Sequence, residues 1–443
     1  MIELERGDGS GVKVMEQSDR EKVNKDMENN YRVVLWEGST YSLMAGMTAP
    51  FLGVMALQMG ASAFQLSMVT ALPNLINVMF MVPLASFLER RNQKLGYCVG
   101  GILGNRVGYL FLGLTAFLGL SPYWFLLILA LMTIPGVLAG LSYTDIVAVS
   151  FPARERGKVF GAKNALVGLL TFVATMIAGR LLDNIAYPYN YLIVFSLAST
   201  FGLINAYTMS RFREPIHQEQ VIEKSDQEPY LTRLRKIFAN PELGPQFKRF
   251  LASVVLVHMG FNIPAALWTI FYVEEMHMTQ SQIGNLSAIN NAIIVFFSFY
   301  WGKKIQRSGD KSVFTISLIG ISLVAAWAAL SKSVLSLYLL QMLGGFSMAP
   351  YNITYYNILL SSSEKKYRPT AVATFHVLLG LTGVICPSIG VWLFNFLTAR
   401  QVFWLSAFIR LTAAIVAFKS ISLSEVLSVF KKPKIFNDTD LSN

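Results

Sequence analysis

The chain has 443 residues, of which 53% are hydrophobic and only 14% are charged, and its formal net charge is +11. A soluble globular protein carries about a quarter charged residues, and the charges here are clustered, so that long stretches hold few or none. Runs of roughly 20 apolar residues cross a bilayer as a helix, and such runs recur along this chain. The composition therefore excludes a soluble protein and predicts an all-α, polytopic membrane protein.

The apolar runs predict twelve transmembrane helices, numbered here as spans 1 to 12. Helices are expected because backbone groups inside lipid must form hydrogen bonds within their own element. With ends uncertain by several residues, the predicted spans cover about 34–57, 63–87, 95–119, 122–148, 158–182, 189–211, 249–273, 280–301, 312–331, 334–360, 370–396 and 401–420.

The spans divide the chain into two halves of six helices joined by a polar linker. The linker contains "YLTRLRKIF", in which basic and apolar residues interleave, and this pattern predicts a helix that lies at the membrane surface. The first 30 residues lack the apolar core of a signal peptide. The predicted segments are an N-terminal tail at 1–30, a six-helix bundle at 31–212, the linker at 213–247, a second bundle at 248–421 and a C-terminal tail at 422–443.

The distribution of basic residues predicts the orientation. Lysine and arginine collect in the short loops after spans 2, 4, 8 and 10, whereas the loops on the other side hold only Lys332 and Arg400. Basic loops remain in the cytoplasm, so these loops and both termini are expected there. The same bias accounts for the positive net charge without a nucleic-acid partner.

The two halves are related by an internal repeat. Gln65 and Asn74 of span 2 align with Gln282 and Asn291 of span 8 at an offset of 217, and the following loops "ASFLERRNQK" and "GKKIQRSGDK" align at the same offset. Further along, Arg156 aligns with Arg368 at an offset of 212. Because six spans are an even number, both halves have the same orientation, which indicates a parallel repeat about an axis along the membrane normal.

The loops after spans 2 and 8 resemble the signature loop of the major facilitator superfamily, G-x-L-A-D-R-x-G-R-K, and the likeness covers 31–421. The signature positions are kept at Glu89, Arg90 and Lys94 in the first copy and at Gly302, Arg307, Gly309 and Lys311 in the second. Arg156 and Gly157 match a further R-G pair of the family. The resemblance implies a 12-helix transporter in which two six-helix bundles rock around a central cavity lined by spans 1, 4, 7 and 10.

In the family, the signature loops brace the cytoplasmic side. Arginine-rich loops near helix ends form charge-assisted hydrogen bonds with acids, so we expect Glu89, Arg90 and Asp145 to form part of a cytoplasmic gate. The alternative is that Arg90 and its neighbours only set the topology. The other expected gate residues are Lys94, Arg156, Gly302, Arg307, Gly309, Lys311 and Arg368.

Polar residues at helical spacing mark candidate cavity faces. Polar side chains avoid lipid, so these faces are expected to point to protein or water, although hydrogen bonding between packed helices is an alternative for any single residue. The candidates are Glu37, Tyr41 and Thr48 on span 1, Asn74 on span 2, Tyr143 on span 4, His258 and Asn262 on span 7, Asn291 on span 8, and Gln341, Asn352 and Tyr355 on span 10.

Four ionisable residues inside spans need separate explanations. Glu37 and His258 are candidates to carry a coupling proton, or to form ordinary hydrogen bonds. Arg106 and Arg410 lie near the middle of spans 3 and 12, where a charge costs about 2.5–3.5 kcal/mol on an insertion scale and needs a partner or water. The family keeps helices 3 and 12 peripheral, which speaks against a substrate role for these arginines.

The predicted function is secondary active transport of a small molecule by alternating access. Efflux of an amphipathic or drug-like compound is preferred, because the polar lining is sparse and aromatic residues and methionines are many. Uptake or facilitated diffusion of a small solute is the alternative. Span 5 lacks the glycine-proline motif of the family's drug/proton antiporters, and this absence weakens the efflux interpretation. The expected partners are a small-molecule substrate, the lipid bilayer and protons as the candidate coupling ion.

A sensor or a membrane-embedded enzyme on the same fold is the alternative from another class. The sequence contains no H-E-x-x-H zinc pattern, and "GFSMA" lacks the final glycine of a serine-nucleophile motif. The four histidines show no ligand spacing, so neither a metal nor a cofactor is expected. The compact length, the short loops and the lack of a signal predict a prokaryotic inner membrane. The protein is expected to be a monomer.

Overall fold

The structure is a computed structural model that describes residues 17–151, 153–214, 230–239, 244–363, 367–418 and 429. All regular structure within these ranges is helical. Residues 1–16 of the predicted N-terminal tail and nearly all of the predicted C-terminal tail lie outside the described residues.

The first half contains the helices of spans 1 to 6. Pro50 lacks a backbone N–H and so interrupts the helical ladder of span 1, which passes through a short 3-10 turn at Ala49–Phe51. The helices are α1 (Gln17–Thr48), α2 (Leu52–Gln58), α3 (Ala63–Glu89), α4 (Leu95–Phe117), α5 (Pro122–Ser150), α6 (Ala153–Asn184) and α7 (Tyr189–Ser210).

The second half repeats this plan after the predicted linker helix, which is present as α8 (Tyr230–Ala239). Span 7 is again interrupted, here before Ala265, and it ends in a π-helical turn at Phe271–Glu275. The remaining helices are α9 (Gly244–Asn262), α10 (Ala265–Ile270), α11 (Gln280–Ser308), α12 (Asp310–Leu330), α13 (Val334–Ser361), α14 (Arg368–Phe394) and α15 (Ala399–Phe418).

Each predicted span corresponds to a helix or a helix pair. Within the described ranges, ten of them are long and apolar enough to cross a membrane. The other two are α4 and α13, in which polar residues such as Arg106 and Gln341 lower the mean hydropathy. Both still pack into the bundles, α4 against α5 and α7, and α13 against α11 and α12.

The predicted N-terminal tail contributes its last residues to helix α1. Helix α1 begins at Gln17 and runs without a break past the expected boundary between tail and bundle at residue 30. Asn30 anchors the helix at this boundary, because its side chain donates to the backbone oxygen of Arg213 and accepts from the backbone N–H of the same residue, both at 2.8 Å. The helix is therefore tied to the chain segment that follows α7.

The internal repeat is visible in two equivalent helix starts. Ser62 and Gln65 form a capping box at the start of α3, in which each side chain bonds to the other residue's backbone N–H. Thr279 and Gln282 form the same capping box at the start of α11. The spacing of 217 residues that aligned Gln65 with Gln282 therefore aligns two helix starts of identical construction.

The two halves contact each other closely at one end of the molecule. We call this end the distal end. The opposite end, which holds the connection between α7 and α9, is called the linker end. Helix α3 packs against α14, and α6 against α11. On α6, a Cβ placed on Gly179 would lie 2.9 Å from the backbone of Ser281 in the other half, whereas nothing lies within 4 Å of one placed on Gly161. The helices thus separate towards the linker end.

A buried apolar cluster closes the distal end. It contains residues of both halves, including Phe51 and Leu66 from the first and Ile263 and Leu267 from the second. Its formation across the two halves removes apolar surface from contact with water or lipid, and close packing of this kind holds helices together within a membrane.

Candidate functional site

One candidate site is a cavity of about 790 Å³, called here the N-half cavity. It is lined by α1, the 3-10 turn and α2 that follow it, α3, α4 and α5, together with Lys163 of α6. Lining residues towards the distal end, such as Thr48 and Leu129, are buried, whereas Met81 and Thr144 towards the linker end are exposed. Its volume lies in the range of about 300–1,000 Å³ that is typical of small-molecule sites.

Four of the predicted cavity residues line the N-half cavity. They are Glu37, Tyr41, Thr48 and Tyr143, on the two helices that correspond to spans 1 and 4. The rest of the wall is mainly apolar and includes Met44, Leu52, Val69, Leu129, Met132 and Val137. This wall can hold an apolar body, and the flexible thioethers of methionine adapt to different shapes.

A buried ion pair lies in the wall of the cavity. Lys163 Nζ is 2.7 Å from Glu37 Oε2 and 2.6 Å from the hydroxyl oxygen of Tyr143. The Glu37 side chain is 9% exposed and that of Lys163 is 14% exposed. Asn205 of α7 donates to the backbone oxygen of Glu37 at 2.8 Å. Gly38 leaves room for the lysine, since a Cβ there would lie 2.8 Å from Lys163 Cε.

Arg106 also lines this cavity, contrary to the expectation that helix 3 is peripheral. Its Nη1 donates to Asn105 Oδ1 at 2.6 Å, and its guanidinium carbon lies 5.2 Å from the ring centroid of Tyr41. Asn105 is fixed in turn because its Nδ2 donates to the backbone oxygen of Met132 at 2.8 Å. The Nε–H of Arg106 is buried and has no acceptor among the described residues.

A second, smaller cavity of about 330 Å³ lies in the other half. It includes the predicted residue Gln341, whose Oε1 accepts from Asn290 at 3.1 Å. Arg410 lines it too, but this side chain is buried and donates to the backbone oxygens of Gly260, at 2.9 Å, and Ile321, at 3.3 Å. Helix carbonyls are therefore the partners that Arg410 requires.

Several predicted cavity residues line neither cavity. His258 Nε2 is 3.1 Å from the hydroxyl of Tyr351, and Asn262 donates to Thr382 at 3.2 Å. Both residues thus form the interhelical contacts that were the alternative interpretation. The others outside the two cavities are Asn74, which donates to the backbone oxygen of Thr70, Tyr355, which stacks on Phe375, the half-buried Asn291 and the exposed Asn352.

At the linker end, Asp145 pairs with Lys94, while Arg90 is exposed. The backbone N–H of Lys94 also donates to Glu214 at 2.9 Å. The equivalent contacts in the second half each join a charged and a neutral side chain, because Lys311 donates to Gln246 at 3.0 Å and Asn357 donates to Asp310 at 2.8 Å. Each of these contacts lies within one half.

The remaining predicted gate residues make few contacts that the structure describes. Arg307 is exposed, and Gly309 ends α11 with a φ of +80°, which favours glycine. Nothing lies within 4 Å of a Cβ placed on Gly302, and the Nε of the half-buried Arg368 is buried without a hydrogen bond. The side chains of Glu89 and Arg156 lie outside the described residues.

Asp183 was not singled out from the sequence. Its two carboxylate oxygens accept hydrogen bonds from the backbone N–H groups of Gln280, at 2.8 Å, and Ser281, at 2.9 Å. These groups belong to the first turn of α11, where the helix dipole favours a negative charge. The contact joins the two halves at the distal end, and Gln280 adds a bond of 3.2 Å to the hydroxyl of Tyr191.

Lys163 was also missed, although a signal was present. It is a lysine within the predicted span 5, and an ionisable residue inside a span indicates a functional site by default. Asp183 had no comparable signal, because it lies at the end of a span, where acids are common. Within the described residues, no group of three or more histidine, cysteine or acidic side chains could hold a metal ion.

Comparisons with known proteins agree with this architecture. The family model of the Major Facilitator Superfamily matches residues 38–279 and 250–441. The class H tetracycline resistance protein of Pasteurella multocida is 21% identical over 332 residues, which cover 71% of this chain and 76% of that protein.

Solved transporters share the fold. A mutant of the nucleoside transporter NupG has a TM-score of 0.68 at 12% identity and covers 88% of this chain and 100% of its own. A POT family transporter in complex with a thioalcohol-conjugated peptide has a TM-score of 0.66 at 14% identity, covering 92% and 97%. A bacterial homologue of the human lysosomal transporter Spinster, in an inward-facing and unoccupied conformation, has a TM-score of 0.63 at 15% identity, covering 93% and 99%. The chain is a multi-pass membrane transporter that belongs to the major facilitator superfamily.

Proposed function

We propose that the protein is a proton-coupled exporter of amphipathic, drug-like compounds that works by alternating access. The observation that carries this proposal is the N-half cavity, which opens towards the linker end while the distal end is closed. The basic loops support a cytoplasmic position for the linker end. In this conformation the cavity therefore receives its substrate from the cytoplasm. The protein acts as a monomer in the inner membrane of the cell.

The lining of the cavity supports an amphipathic substrate. Apolar and aromatic side chains provide most of the wall, and a few polar groups are placed among them. Sites of this composition bind compounds with a large apolar surface and use the polar groups for orientation. The similarity to a tetracycline resistance protein also supports export.

Glu37 is the stronger candidate for the coupling residue. It lines the cavity and pairs with Lys163, so a proton that arrives from the cavity would neutralise the acid and break the ion pair. Lys163 would then keep only its bond to Tyr143, and the contacts between α1, α5 and α6 would change. His258 lines neither cavity and bonds to Tyr351, which favours a structural role for it.

A gradient experiment in proteoliposomes tests the assignment of Glu37. With tetracycline and 2-naphthoate as probes, Glu37→Gln should abolish transport driven by a pH gradient but preserve counterflow exchange across the membrane. His258→Ala is the matched variant and should retain gradient-driven transport. If Glu37→Gln transports normally in response to the gradient, or if only His258→Ala loses the response, the assignment is wrong.

Uptake or facilitated diffusion of a small solute is a second candidate. The smaller cavity supports it, because Asn290 and Gln341 offer amide groups beside Trp268 and Tyr272, and this combination suits a compact polar ligand. Counterflow without any response to a pH gradient, in both the wild type and Glu37→Gln, would favour this candidate over export.

A further inference from the structure

The charges of the N-half cavity are unequal. Its ionisable lining residues, tyrosines apart, are one acid, Glu37, and two bases, Arg106 and Lys163. Glu37 and Lys163 neutralise each other at 2.7 Å. Arg106 forms no ion pair with any carboxylate in the described part of the chain. One positive charge therefore remains uncompensated in a largely apolar cavity.

The contacts of Arg106 leave most of its donors unused. A guanidinium offers five N–H donors in a planar fork, and here one nitrogen, Nη1, donates to Asn105. The buried Nε–H has no acceptor among the described residues. Asn105 and the ring of Tyr41 fix the position of the group, so its geometry is set before any ligand arrives.

Arg410 has more acceptors than Arg106, although its buried Nε–H likewise has none among the described residues. It lines the smaller cavity, but two of its nitrogens donate to the backbone oxygens of Gly260 and Ile321. These bonds clamp α15 to α9 and α12. Arg106 instead donates to a single acceptor, the side-chain oxygen of Asn105. Its other N–H groups are therefore available to a ligand.

We infer that Arg106 binds the acidic group of the substrate, and that the substrate is an amphipathic monoanion with one carboxylate on an apolar body. An arginine fork matches the two oxygens of a carboxylate and forms short, strong, charge-assisted hydrogen bonds with it. A single negative charge balances the cavity, whereas a dianionic phosphate monoester would leave one charge uncompensated. Met44, Leu52 and Met132 line the space for the apolar body.

The inference rests on the proposed function in one respect only, since it takes the N-half cavity as the substrate site. It is tested by binding to the purified full-length protein in detergent, with no gradient and no direction of transport. If export is not observed, the binding result remains valid. If the protein shows no preference for the carboxylate, export of a different substrate class remains possible.

The probes are four compounds that share a naphthalene body: 2-naphthoate, the neutral 2-naphthamide, the cationic 2-naphthylmethylammonium and the dianionic 2-naphthyl phosphate. Isothermal titration calorimetry should show that the carboxylate binds at least about tenfold more tightly than the amide, as expected for a charge-assisted hydrogen bond. Equal binding of acid and amide, tighter binding of the ammonium or the phosphate, or no binding of any of the four would overturn the inference.

Variants of Arg106 provide a second test of the inference. Arg106→Gln should remove the preference for the carboxylate, and Arg106→Lys should keep part of it, because the charge remains and the fork is lost. Arg211→Gln is the matched control, since this exposed arginine bonds to Tyr207 outside the cavity. An unchanged preference in Arg106→Gln, or an equal loss in Arg211→Gln, would contradict the assignment. If Arg106→Gln does not fold, the four probes and Arg106→Lys still decide it.

Discussion

At the scale of single residues, the wall of the N-half cavity depends on the pair of Glu37 and Lys163. Both side chains are mostly buried, and each has a further hydrogen-bond partner, Asn205 for the acid and Tyr143 for the base. A buried ion pair contributes little net stability as a whole, but the loss of one partner leaves an uncompensated charge. The two residues should therefore behave as one unit.

A double-mutant cycle tests this coupling. Lys163→Met should lower the free energy of unfolding by about 3–5 kcal/mol, because Glu37 would be left in a buried site without its partner. The double variant Glu37→Gln/Lys163→Met should lose less than Lys163→Met alone, since no unpaired charge remains. Reversible unfolding in mixed detergent micelles measures both values. Additive losses in the double variant would show that the two side chains are independent.

The sequence could locate polar faces but could not distinguish ligand-facing residues from packing residues. Helical spacing selected Glu37, Tyr41 and Tyr143, and these three residues line one cavity. The same reasoning selected Asn262, which donates to Thr382. That partner lies 120 positions away, so only the packed structure shows that the amide is already satisfied.

At the scale of helices, the contact between Asp183 and the start of α11 joins the two halves at the closed distal end. The carboxylate accepts two backbone N–H groups that have no partner within their own helix. Similar bonds to a charged acceptor contribute about 1.5–3 kcal/mol each. The contact crosses between the two halves, so its loss should favour separation of the distal helix ends.

Asp183→Asn should therefore lower the ratio of closed to open distal ends by about fivefold to a hundredfold, because one neutral acceptor remains. Spin labels at positions 123 and 335, which are exposed at the distal ends of α5 and α13, report this ratio as a distance distribution. Glu274→Gln is the control, since Glu274 is an exposed acid at the same end. An unchanged distribution in Asp183→Asn would show that other contacts hold the closure.

Helix starts were among the features that the sequence predicted well. The repeat aligned Gln65 with Gln282, and each completes a capping box. The beginning of α1 was not predicted, because residues 17–30 are polar and the apolar criterion stops at the membrane boundary. The bonds of Asn30 to Arg213, which support the helix there, join positions 183 residues apart.

At the scale of the whole molecule, two similar halves carry different charges. In the first half, Asp145 pairs with Lys94 at the linker end and Glu37 with Lys163 in the cavity wall. In the second, Asn357 bonds to Asp310 at the linker end, and carbonyl oxygens accept from Arg410. Repeated topology followed from the sequence offsets, whereas the partner of each charged group became apparent only from the contacts. We therefore propose that coupling and substrate binding take place in the first half.

The central claim is that this asymmetric molecule drives an amphipathic compound out of the cytoplasm at the expense of a proton gradient. Inside-out membrane vesicles that contain the protein, with an acidic interior, test it most directly. The vesicles should accumulate 2-naphthoate or tetracycline, and a protonophore should abolish the accumulation. Accumulation of neither compound above that of vesicles without the protein, or accumulation that persists after the gradient has collapsed, would contradict the account.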